Sequence, residues 1–183
     1  MLRFGLLGAG RIGKLHGGNI AASPNARLVA VADIDQKAAA SLAAAHGAEA
    51  RSPADIIGAS DIDAVLIGTS TDTHSDYIEQ AVNAGKAVLC EKPVDLDSKR
   101  IEACLKVVEK AGKPLMIGFN RRFDPNFASL KRRLDDGAVG NVEMVTIMSR
   151  DPGPPPISYI ERSGGLFRDM MIHDFDMARF LLG

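Results

Sequence analysis

The chain has 183 residues, 46% hydrophobic and 25% charged, with a formal net charge of -1, no tryptophan and few other aromatic residues. Near-neutral charge and sparse aromatics exclude the basic, base-stacking surfaces of nucleic-acid binders. No apolar run approaches the roughly 20 residues that a membrane span requires, and the length suits one domain or one and part of a second. Residues 1–10 are apolar with one Arg, but glycines interrupt them where a strand would turn into a helix, so they read as structure rather than as a secretion signal.

In chain order, short apolar runs at residues 3–8, 27–33, 64–68, 87–90 and 115–118 read as strands. They are nearly continuous Val, Leu, Ile and Ala, the pattern of parallel strands covered on both faces. Between them, residues 12–22, 36–46, 74–84 and 98–111 read as helices, with a weaker segment at 53–58. Three of these helices stop at Gly47, Gly85 or Gly112, a common closing residue. This alternation predicts an α/β fold with a doubly wound parallel sheet over residues 1–118. Cys90 and Cys104 belong to no metal-binding spacing and read as reduced core thiols of a cytoplasmic protein, with no metal site.

Residues 119–183 differ in character. A basic helix is expected at 126–135, one strand at 142–149, then a proline-rich loop and a last helix at 167–182. A lone strand has no partner, and these elements cannot build a core of useful size. The chain therefore reads as an N-terminal Rossmann domain followed by an incomplete α+β domain, truncated midway. The exposed edge at 142–149 also predicts a homo-oligomer.

Gly8, Gly10 and Gly13 form G-A-G-R-I-G between the first strand and the first helix. The first glycine permits the tight turn, the second lets a pyrophosphate approach the backbone, and the third lets helix and strand pack closely. The amides of the helix N-terminus, around Arg11 and Ile12, then face the phosphates. Asp33 ends the second strand about twenty residues further on, where a carboxylate accepts the ribose hydroxyls and repels a 2′-phosphate. No Arg follows it closely, so the pattern predicts NAD rather than NADP as cofactor. The alternative for Asp33 is a helix cap, a role equally open to Asp35. Two further polar clusters follow strands and fall on the same sheet edge. One runs from Thr69 and Ser70 to Thr73 and His74, with Thr73 a plausible helix cap, and the other is Glu91-Lys92-Pro93.

Set beside the glycine loop, Glu91-Lys92-Pro93 resembles the signature of the Gfo/Idh/MocA family of NAD(P)-dependent oxidoreductases. The resemblance extends over essentially the whole chain and is particularly close at Gly118-Phe119-Asn120-Arg121-Arg122-Phe123-Asp124-Pro125 and Ser149-Arg150-Asp151-Pro152. It implies a Rossmann domain before a mixed α/β substrate domain, with Lys92 at the catalytic centre. It also implies that Asp169 and His173, in the segment Gly164-Gly165-Leu166-Phe167-Arg168-Asp169-Met170-Met171-Ile172-His173, complete that centre. The implied reaction is oxidation of a secondary alcohol of a cyclic polyol, myo-inositol to its 2-keto form. His173 would take the hydroxyl proton, Lys92 would donate to the same oxygen, and Asp169 would orient one of them. Asp151, Asn120 and Arg122 are implied at the substrate, the last two between it and the cofactor. Members of the family run to about twice this length, and many have Thr-Pro where this chain has Thr69-Ser70.

The residues themselves add a separate expectation. Asp169 and His173 are spaced i, i+4 and would share one helix face. Met170, Met171, Phe175, Met177 and Phe180 around them predict a largely buried helix, in which both need partners. Two other readings stay open: a dehydrogenase of another sugar or polyol, and a truncated, non-catalytic NAD-binding module. Arg121, Arg122, Lys131, Arg132 and Arg133 have a second reading as a solvated helix face, the better one for the last three.

Overall fold

The computed structural model describes residues 1–183, apart from the side chains of residues 158, 161 and 162. The chain divides into two compact units, Met1–Gly118 and Phe119–Gly183.

In the first unit, β1 (Leu2–Leu7), β2 (Ala26–Ala32), β3 (Glu49–Ala50), β4 (Ala64–Ile67), β5 (Ala87–Cys90) and β6 (Leu115–Ile117) form one parallel sheet in the order β3-β2-β1-β4-β5-β6. The crossovers are α1 (Arg11–Ala22), α2 (Gln36–Ala45), α3 (Pro53–Gly58), α4 (His74–Asn83) and α5 (Ser98–Ala111). Successive strand residues feed two different cores, because side chains alternate across a strand. Leu7 and Ile67 pack with Ile56, Ile78 and Val82, while Leu6 and Leu66 pack with Leu28, Val31 and Leu42. With both faces covered, the strands must be apolar throughout, and each fully buried Leu or Ile stabilises the fold by about 1.5–3 kcal/mol. Two-residue β3 is exposed on both faces and carries no such signal.

Local chemistry fixes the helix ends. Asp35 caps α2 by accepting from the amides of Lys37 and Ala38, and Asp97 caps α5 through Lys99. Ser52 caps α3, with Pro53 at its first position. Thr73 precedes α4 without capping it, since its hydroxyl donates to the Ser70 carbonyl 2.8 Å away. Both cysteines are free and buried. Burial pushes the Cys104 thiol up to about 11 and the Cys90 thiol higher still, so neither is a nucleophile at neutral pH.

The second unit corrects three expectations. Residues 142–149 form no strand and join no ladder, because no second strand lies beside them among the described residues. The last helix is interrupted: α6 (Pro125–Asp135) and α7 (Ile157–Ser163) are followed by α8 (Gly165–Asp169) and α9 (Ile172–Leu182). At the break the Met171 amide donates to the Leu166 carbonyl and that of His173 to the Met170 carbonyl, so neither bond spans four residues. Asp169 therefore ends one helix while His173 begins the next. Nor is α9 largely buried: Asp176, Met177 and Leu181 are, whereas Phe175 is half exposed.

Candidate functional site

The carboxyl edge of the first unit's sheet gathers the polar residues. Gly8 leaves β1 at φ +103°, and an added Cβ would stand 2.4 Å from the Gly68 carbonyl oxygen. At Gly13 a Cβ would stand 2.0 Å from the carbonyl oxygen of Gly8, so helix α1 packs directly on the turn. Gly10 differs from both. Its φ of -69° suits any residue, and a Cβ there meets nothing within 4 Å. Neither backbone angle nor packing calls for glycine at this position, and the open space beside it suits the close approach of a ligand. No side chain caps α1 and no acidic residue lies in its first turn, so the amides beside Arg11 and Ile12 face outward at the positive end of the helix. These features fit a dinucleotide pyrophosphate.

Asp33 does not cap α2. One carboxylate oxygen accepts from the Ala9 amide at 2.6 Å and the other from the Asp35 amide at 2.8 Å, which ties the glycine loop to the end of β2. A carboxylate has about four acceptor positions, so both oxygens retain capacity for ribose hydroxyls. Next to it stands Ile34, fully exposed, a residue with no periodic signal in the sequence.

Thr69 donates to the Thr73 hydroxyl at 2.7 Å, and Ser70 beside it is exposed. His74, expected at the cofactor, lies beneath this loop instead, 2% exposed. Its Nδ1 faces the Pro93 carbonyl at 2.8 Å and its Nε2 the Thr69 carbonyl at 3.1 Å. With both ring nitrogens on backbone oxygens it holds the loops after β4 and β5 together. The Lys92-Pro93 peptide is cis, and Lys92 is half-buried. Glu91 pairs with a residue that the sequence did not single out, His16 on α1, at 2.6 Å. Burial alone would raise the Glu91 carboxyl, but the His16 hydrogen bond and charge, with the Lys92 amide, outweigh it and hold the group below its ordinary value.

In the second unit, Asp169 accepts from the Tyr159 hydroxyl at 2.7 Å, and His173 packs edge-on to Phe119 with ring centroids 6.4 Å apart. Arg122, expected at the substrate, is committed to Asp176 through a two-pronged pair with distances down to 2.6 Å, and its guanidinium lies over the Phe180 ring. Asp176 is buried, so this pair is part of the unit's framework. Arg121 likewise bonds Ser149 and Asp174, fastening the end of the segment at 142–149 to α9 rather than solvating a helix face. Asn120 and Asp151 are exposed. Among the described residues there is no cluster of three metal-ligating side chains, and no helix is long and apolar enough to cross a membrane.

Residues 2–119 match the family described as "Oxidoreductase family, NAD-binding Rossmann fold", and residues 127–183 match "GFO/IDH/MocA C-terminal domain". The chain belongs to the Gfo/Idh/MocA oxidoreductase family. It is 61% identical over 182 residues to inositol 2-dehydrogenase of Rhizobium meliloti, a match that covers all of this chain and 55% of that protein. Among solved structures, myo-inositol dehydrogenase of Corynebacterium glutamicum is similar, with TM-score 0.94 and 49% identity over 99% of this chain and 55% of that one. Scyllo-inositol dehydrogenase of Lactobacillus casei, with bound NAD(H) and scyllo-inositol, aligns with TM-score 0.83 and 30% identity over 99% of this chain and 56% of that one. The chain thus spans about half the length of the relatives it matches.

Proposed function

We propose that this chain carries the NAD site and part of the substrate site of a dehydrogenase that oxidises a secondary alcohol of a cyclic polyol, myo-inositol to its 2-keto form. The observation that carries the cofactor half is the glycine loop at the uncapped N-terminus of α1, where Gly10 leaves open space for a ligand to approach the backbone. The inositol half rests on similarity to dehydrogenases named for inositols and on the residues implied by the family. Asp33 takes the adenosine ribose hydroxyls and disfavours a 2′-phosphate. Ile34 offers an apolar face to the adenine ring, and Thr69, Ser70 and the α1 amides line the remainder of the groove. The nicotinamide ring, when bound, supplies the hydride acceptor.

The chain's own groups then manage the proton and the oxygen. His173 takes the hydroxyl proton as general base, and Lys92 donates to that oxygen as negative charge develops on it. Asp169 orients a catalytic group, while Asn120 and Asp151 hydrogen-bond to the remaining polyol hydroxyls, each of which needs a partner once desolvated. Burial of both thiols agrees with a cytoplasmic setting. The unpaired segment at 142–149, with Met144 and Met148 largely exposed, supports self-association; a clean monomer by light scattering rejects that part.

The test is NAD⁺ reduction followed at 340 nm with myo-inositol as substrate. Turnover supports the whole reading, and bound NADH without turnover rejects its catalytic half. In the same protein Asp33→Ser is expected to weaken NADH about 10- to 100-fold, since hydrogen bonds to a charged group contribute about 1.5–3 kcal/mol. It should also narrow the preference over NADPH. Unchanged affinity for both would remove Asp33 from the site.

A further inference from the structure

The loop of Glu91, Lys92 and Pro93 contains a pairing that the proposed chemistry does not use. Glu91 directly follows β5, and its carboxylate meets two separate parts of the first unit. His16 Nε2, on the helix that opens at the glycine loop, donates to Oε1 at 2.6 Å. Lys92 is the next residue along the chain, and it helps His16 hold the Glu91 carboxyl below its ordinary value. Gly118, just beyond β6, passes beneath it so closely that an added Cβ would stand 3.2 Å from the carboxyl carbon and both oxygens. The side chains of His16 and Glu91 are only 20% and 18% exposed, so water competes weakly for this bond.

We infer that Glu91 and His16 form a strut that fixes the backbone at Lys92 against helix α1, with Glu91 acting as a positioning residue and not as a cofactor ligand. The carboxylate is engaged by His16 while Gly118 lies directly against it. Holding Glu91 restricts where the backbone of the next residue, Lys92, lies and so where its side chain starts. The α1 end of the strut is the element whose first turn faces the cofactor, so the strut also sets the distance between the pyrophosphate groove and Lys92. Gly118 then has a reason of its own to be glycine: any side chain there pushes on the carboxylate.

This inference rests on the proposed role of Lys92, and the test separates the two. In the full chain the ¹⁵N–¹H signal of the Lys92 amide is followed in Glu91→Gln, His16→Ala, His16→Gln and Gly118→Ala, alongside NADH affinity and turnover. The Lys92 signal is expected to move in Glu91→Gln, His16→Ala and Gly118→Ala, and to return toward its original position in His16→Gln, whose amide nitrogen replaces Nε2 as donor. NADH affinity should change less than about 3-fold throughout. Turnover should fall about 10-fold or more in the three disrupting variants, the range usual for outer-layer partners. The Glu91→Gln/His16→Ala pair should be no slower than the worse single variant, because both break one strut. A Lys92 amide indifferent to His16→Ala overturns the strut. So does a 10-fold loss of NADH affinity in Glu91→Gln alone, which would make Glu91 a cofactor ligand. If the original chain binds NADH but does not turn over myo-inositol, the functional reading fails, and the Lys92 amide still decides the strut.

Discussion

Gly8→Ala is expected to lower the melting temperature by about 10 °C and to abolish measurable NADH binding. Two costs combine. The residue sits at φ +103°, where an L side chain is strained by about 1–3 kcal/mol. Its Cβ would also lie 2.4 Å from the Gly68 oxygen and 2.9 Å from the Thr69 nitrogen, backbone atoms that move only if the loops after β1 and β4 separate. Together these come to about 3 kcal/mol, and for a chain of this size each kcal/mol shifts the midpoint by about 2–4 °C. Gly10→Ala is the control, two residues away. Its Cβ meets nothing and its backbone is ordinary, so the melting temperature should hold while NADH affinity falls about 10-fold or more. Thermal unfolding and fluorescence titration of both variants check this. If Gly10→Ala binds NADH normally, the pyrophosphate does not lie where the loop indicates.

That contrast shows what a glycine motif leaves hidden. The sequence places three glycines between a strand and a helix, but it does not say which is needed by the turn, which by packing and which by a ligand. Over the first unit the elements were legible because a parallel sheet covered on both faces demands continuous apolar runs, and Leu6 and Leu7 serve opposite cores. β3 was not, since two exposed residues pair through backbone alone. The run at 142–149 has strand composition without a partner, and composition by itself forms no ladder. The break at Met170 and Met171 carries no sequence signal, because neither residue disfavours a helix. Among site residues, Asp33 and the glycine loop were legible through spacing. His16 with Glu91 and Arg122 with Asp176 were not, because each pair is brought together from distant parts of the chain.

Lys92→Ala is expected to reduce turnover of myo-inositol about 10²- to 10³-fold, while NADH affinity stays within about 3-fold. The expected size is that of removing one preorganised donor from an oxygen that gains charge in the transition state. An interaction made mainly at that stage costs rate, whereas one made equally in the ground state would raise KM instead. Restoring positive charge with Lys92→Arg should recover little, because a planar guanidinium does not present a compact ammonium at the same point. The proposed strut acts on the Lys92 backbone through Glu91 and His16 whatever the Lys92 side chain, so the variant should keep its fold and its cofactor groove. Steady-state kinetics with NADH titration on the same preparation decide the matter. Full turnover by Lys92→Ala would leave the alkoxide without its proposed donor, and a parallel collapse of NADH binding would make Lys92 a cofactor-holding residue instead.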